Sequence, residues 1–148
     1  MERMDGSADM PRVARYLGYG GVIPFLAMAL NQIAGGPLPA DFAMNVFLYY
    51  SAAILSFLGG IRWGAATRLN TGMGRDLVIS IVPSLWAVGC LLLGSTEWTI
   101  GALLLGFVLM GILDALLPAA SIAAWMTGLR IQLTIAVAIC HLLLIFGM

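Results

Sequence analysis

Five apolar runs, at residues 16–34, 42–63, 77–94, 98–117 and 129–147, leave this chain few ways to fold. A helix of about 20 apolar residues crosses the roughly 30 Å hydrocarbon layer of a bilayer, and each run is close to that length. In lipid every backbone N–H and C=O must be paired internally, so only helices and closed barrels span. The runs lack the alternation of apolar and polar residues that barrel strands need. The expected fold is therefore all-α: a polytopic helical bundle with five transmembrane helices. Residues 1–15 are expected to be a flexible tail and 16–148 the membrane domain. Composition agrees: 61% of residues are hydrophobic and 9% charged, against about 25% charged in a soluble domain that must cover itself in polar surface.

The arginines give the expected direction. Arg3, Arg12 and Arg15 precede the first run, Arg62, Arg68 and Arg75 flank the second connector, and Arg130 follows the fourth. With five spans all of these fall on one side, while Asp41 and Glu97 lie on the other, which has no basic residue. Basic residues favour the cytoplasmic side, so the N-terminus is expected inside and the C-terminus outside. The connectors carry breakers: Gly35, Gly36, Pro37 and Pro39, then Asn70 to Gly74, then Gly94 to Thr96. The segment 118–128 is longer and holds Trp125, so a short interfacial helix is expected there.

Apolar burial does not drive helices together in lipid; close backbone approach and hydrogen bonds do. Ala52, Ser56, Gly60 and Gly64 recur every four residues and form a small-residue stripe on the second span, marking it as the centre of the bundle. Pro24 and Pro83 interrupt the first and third spans, each removing a backbone donor. Their similar depth hints at a parallel repeat of two hairpins.

Ionisable groups inside a membrane are costly, which makes each a candidate site. Arg62 and Asp114 fall at similar depth near the inner ends of the second and fourth spans and are expected to pair, or to snorkel to the headgroups. His141, Asn45 and Tyr49, with Asn31, Gln32 and Tyr50 beside them, form a softer polar group in the outer half. The first three complete the candidate ligand-binding set of Arg62, Asp114, His141, Tyr49 and Asn45. A lone histidine there is more often a helix-to-helix hydrogen bond than a proton carrier. Cys90 and Cys140 read as small apolar fillers, with a disulfide the less favoured alternative. The sequence has no metal-ligand spacing, phosphate loop or nucleophile motif, so no catalytic residue, metal or cofactor is expected. Zero net charge gives no reason to expect nucleic acid as a partner.

The stretch YYSAAILSFLGGIRWG at 49–64 resembles the signature of the membrane family built on domain of unknown function 3429, the transmembrane protein 69-like proteins. LGYGGVIPFLAMA at 17–29, IVPSLWA at 81–87 and LRIQLT at 129–134 support the resemblance, which extends over about 16–147. It implies the inner membrane of a bacterium, or of a mitochondrion if the chain is eukaryotic, and carries no established activity, substrate or catalytic residue. The leading expectation is a non-enzymatic accessory or assembly protein, whose partners are the lipid bilayer and a membrane complex or further copies of itself. The alternative is a binder or transporter of a small amphipathic molecule such as a lipid or quinone.

Overall fold

The computed structural model describes residues 10–68, 73–93, 96–117, 119 and 122–147. It consists of helices α1 (Met10–Gly20), α2 (Ile23–Ala34), α3 (Ala40–Ala66), α4 (Met73–Leu93), α5 (Thr96–Leu116) and α6 (Ala124–Gly147). There are no strands among the described residues. Five stretches are long and apolar enough to cross a membrane, with α1 and α2 together forming the first, Arg12–Ala34. The outer surface carries large apolar side chains such as Leu92, Phe146 and Leu85. Only a surrounding hydrocarbon phase makes that exposure favourable.

The sequence boundaries shift at several ends. Of the expected tail, residues 1–9 lie outside the described residues, but 10–15 are already helical. Connector residues 70–72 and 94–95 also lie outside them. The expected interfacial helix over 118–128 is replaced at its end by the start of α6, with Trp125 in its first turn; Pro118, Ala120 and Ser121 are not described.

The two prolines play different parts. Gly21 N–H bonds back to the carbonyls of Leu17 and Gly18, closing α1 in a tightened turn, and α2 starts afresh with Pro24 in its first turn. A first-turn proline lacks an N–H that has no helical partner anyway, so it starts a helix without penalty. Pro83 instead lies within continuous α4. The first span is thus broken and the third is not, and the two proline sites are not equivalent.

The α2–α3 connector is tied down locally. Gly35 adopts φ 66°, a left-handed conformation that favours glycine, and the Gly36 N–H bonds to Asn31 O at 2.9 Å. The Asn31 side chain donates to Leu38 O at 3.1 Å and accepts from Leu38 N–H at 3.0 Å.

Helix α3 is the central element: half of its best membrane window is buried, against 11% for the first span. Phe25 and Ala29 of α2, Phe47 and Leu55 of α3, Leu103 and Phe107 of α5 and Val137 and Leu144 of α6 form one core. The tightest approach on α3 is at Gly59, where an added Cβ would collide with Ser80 O of α4. The expected small-residue stripe is therefore displaced. Ala52 is buried, Ser56 is half-buried, and Gly60 and Gly64 are exposed with open space where a Cβ would stand. Cys90 and Cys140 are free thiols.

Candidate functional site

Four charged side chains meet at one end of the bundle, each from a different helix. Asp76 lies in the first turn of α4, Arg62 near the C-terminal end of α3, Asp114 in the last turn of α5 and Arg130 in the second turn of α6. All four are buried, and Arg62 completely so. Arg62 donates to Asp76 Oδ1 from Nε at 3.1 Å and from Nη2 at 2.8 Å, and to Leu117 O at 2.8 Å. Arg130 engages Asp114 Oδ2 from Nε at 2.9 Å and from Nη2 at 2.8 Å. The link between the two pairs is longer, with Arg62 Nη1 3.8 Å from Asp114 Oδ1.

The expected Arg62–Asp114 pairing is thus the weaker seam of a four-membered network. Asp76 and Arg130 are the principal partners; hydropathy alone leaves Asp76 in a connector and Arg130 at the edge of the fifth run. Helix dipoles explain part of the arrangement. Asp76 at a helix N-terminus and Arg62 near a C-terminus are each favourably placed, whereas Asp114 near a C-terminus and Arg130 near an N-terminus are not. The latter two offset one another by direct contact.

A second polar group lies further along the same helices. His141 is completely buried among Phe25, Phe47 and Phe107, with ring centroids 5.8, 4.7 and 5.4 Å away. Its Nδ1 is 2.9 Å from Val137 O and its Nε2 3.3 Å from Ser51 Oγ, while Ser51 Oγ is 2.7 Å from Phe47 O. Because a carbonyl only accepts, Nδ1 carries the proton and Nε2 is an acceptor, so the single Ser51 hydroxyl proton goes either to Phe47 O or to His141 Nε2. Ser51 and Arg62 are 11 residues apart on α3, as are Arg130 and His141 on α6. At 1.5 Å per residue, both spacings correspond to about 16 Å. Ser51–His141 and the charged network therefore tie α3 to α6 at two levels.

Asn45 and Tyr49 do not join this group; both are exposed on α3. The neighbouring Tyr50 turns inward and donates to Gly21 O at 3.0 Å, at the break between α1 and α2.

Between the two levels lies a cavity of about 340 Å³, walled by α1 and α2 on one side and by α3 and α6 on the other. Its lining is apolar, including Leu17, Phe25, Phe57 and Leu133, except for Arg130 and Thr134, one turn apart on α6. Leu17 and Phe57 are largely exposed, so the opening faces sideways, toward lipid, rather than toward an aqueous end. Tyr19 Oη donates to Gln132 Oε1 at 2.9 Å, joining α1 to α6. Thr134 is buried and its Oγ1 has no hydrogen-bond partner. No cluster of three or more metal-ligating side chains occurs among the described residues. The cavity offers an apolar shape with one guanidinium, that of Arg130, and the Thr134 side chain at its wall.

Comparison with known proteins places the chain. Transmembrane protein 69 of Xenopus tropicalis is 41% identical over 87 residues, which is 57% of this chain and 34% of that protein. The alignment therefore leaves most of the relative's length uncovered. No solved structure matches. The family model described as protein of unknown function (DUF3429) matches residues 10–146, nearly the whole described bundle. The chain belongs to the DUF3429 family of membrane proteins.

Proposed function

We propose that this protein binds a small amphipathic molecule taken from the bilayer, held in the cavity between the broken first span and helices α3 and α6. The observation that carries this reading is the cavity itself: an apolar chamber with polar groups at one wall only, opening sideways between exposed Leu17 and Phe57. Its volume of about 340 Å³ falls at the lower end of the roughly 300–1,000 Å³ usual for small-molecule sites. An accessory subunit that acts through contacts alone needs no such chamber. That role rests on the short connectors and missing catalytic motifs, and the geometry adds nothing to it.

The orientation that accompanies this reading puts the N-terminus and the charged network on the cytoplasmic or matrix side, supported by the one-sided arginines. A bacterial inner membrane, or the mitochondrial inner membrane, is the matching location. A reporter fused to the C-terminus is expected to be active only on the outer side. Binding is tested by native mass spectrometry of protein gently extracted from membranes, wild type beside Leu133→Trp, which fills the cavity. A small-molecule adduct on the wild type that disappears in the variant supports the reading. Wild-type protein free of any adduct, co-purifying instead with a larger complex, favours the accessory role.

A further inference from the structure

The polar end of the cavity has more hydrogen-bond donors than acceptors but no surplus charge. Arg62 and Arg130 are balanced by Asp76 and Asp114, so the network is formally neutral. A guanidinium has five N–H groups and no acceptor, so Arg130, which lines the cavity where Arg62 does not, brings five donors. These are incompletely used. Beyond the Asp114 contact of Nε and Nη2, the terminal nitrogens of Arg130 reach Leu58 O only at 3.4 Å, long against a usual N···O of about 2.9–3.0 Å. One turn along α6, Thr134 is 7% exposed and its hydroxyl bonds to nothing. A helical threonine ordinarily donates to the carbonyl a turn earlier, and this one does not. Its methyl is the group turned toward α5: a Cβ added at Gly111 would lie 3.0 Å from Thr134 Cγ2. The hydroxyl is therefore not spent on that neighbour, and rotation between the two χ1 wells open to a helical threonine moves it around the wall. Leu58, Arg130 and Thr134 all line the cavity.

From this we infer that the ligand is an uncharged apolar molecule bearing a carbonyl acceptor, seated with that carbonyl between Arg130 and Thr134. The inference rests on the binding reading above and narrows its ligand class. An uncharged acceptor takes up the idle donors and leaves the network balanced. A carboxylate or phosphate head would add an uncompensated negative charge to a site screened from water, where an unpaired charge is strongly unfavourable. The carbonyl belongs either to an ester of a neutral lipid or to a quinone ring, and both present the same acceptor.

Four probes separate these possibilities when titrated into purified protein in maltoside micelles, with bound fractions read by native mass spectrometry: methyl decanoate, a decyl-substituted benzoquinone, decanoate and dodecane. At least one carbonyl probe is expected to bind about tenfold or more tighter than decanoate and dodecane, a ratio that corresponds to one well-made hydrogen bond. The tighter of the ester and the quinone names the source. Thr134→Val is expected to weaken the carbonyl probes about five- to tenfold and leave dodecane unchanged, while Thr134→Ser, which keeps the hydroxyl, restores them. Decanoate binding as tightly as both carbonyl probes, or Thr134→Val binding every probe like wild type, overturns the inference while leaving the cavity a binding site. Probes that bind Leu133→Trp as well as wild type, or that all fail to bind, remove the binding reading and the inference with it.

Discussion

Asp114→Asn is the most informative single change, because Asp114 touches both arginines. The substitution keeps shape and removes one negative charge. Arg130 then loses the carboxylate that its Nε and Nη2 meet at 2.9 and 2.8 Å, and stays buried. Arg62 keeps Asp76 and loses only the contact at 3.8 Å. For a charge pair near 2.8 Å, an effective dielectric constant of about 20 gives a gross attraction of about 6 kcal/mol. Desolvation opposes part of it, and breaking one side of a buried pair typically costs about 3–5 kcal/mol. Asp114 also sits unfavourably at a helix C-terminus, so its removal returns about 0.3–1 kcal/mol. The expected net loss for Asp114→Asn is about 2–4 kcal/mol. Arg130→Gln alone strands the carboxylate and should cost a similar amount. The double variant removes both charges and should cost clearly less than the sum, with a coupling of about 1–3 kcal/mol. The assay is reversible unfolding in mixed micelles followed by tryptophan fluorescence. Single losses below about 1 kcal/mol with a coupling near zero would show that the network is solvated and not a buried lock.

Three further outcomes follow from individual contacts. Gly59→Ala is expected to destabilise by about 1–3 kcal/mol through overpacking against Ser80 O, and Gly60→Ala to be neutral or slightly stabilising; the same unfolding titration distinguishes them. Tyr50→Phe, which frees Gly21 O at the helix break, should cost about 1 kcal/mol, and Tyr49→Phe nothing measurable. His141→Phe keeps the aromatic packing against Phe25, Phe47 and Phe107 and should cost about 1 kcal/mol or less, whereas His141→Ala opens a cavity and should cost about 3 kcal/mol or more; denaturation midpoints for the two read the difference.

How much of this was visible in the sequence follows from what hydropathy measures. It reports how long and apolar a run is, so it finds five spans; the central place of the second comes from its small residues instead. It does not report the rotation of a helix about its own axis. Gly60 was favoured where Gly59 makes the close approach, and Tyr49 where Tyr50 makes the hydrogen bond; each is one residue away, or about 100° of helix rotation. Hydropathy also ends a span where charge begins. That puts Asp76 in a connector and Arg130 at the very edge of a span, although α4 and α6 begin before them and bring both into the buried network. Arg62 and Asp114 stood out because apolar sequence surrounds them, so half of the network was legible. The cavity was not legible, because it depends on where a broken first span leans against α3 and α6. Pro24 marks an interruption there but not what the break encloses.

The central claim is that a lipid-derived molecule occupies the chamber between the first span, α3 and α6. The most direct measurement is photolabelling in membranes with a neutral acyl ester that carries a diazirine on its chain, followed by peptide mapping of the sites labelled. The account predicts enrichment on Leu133 and Val137 of α6 and on Gly18 of α1, abolished by excess unlabelled ester and by Leu133→Trp. Labelling that instead follows exposure alone, strongest on outward residues such as Val78 and Leu85 of α4 and indifferent to competitor, would contradict it.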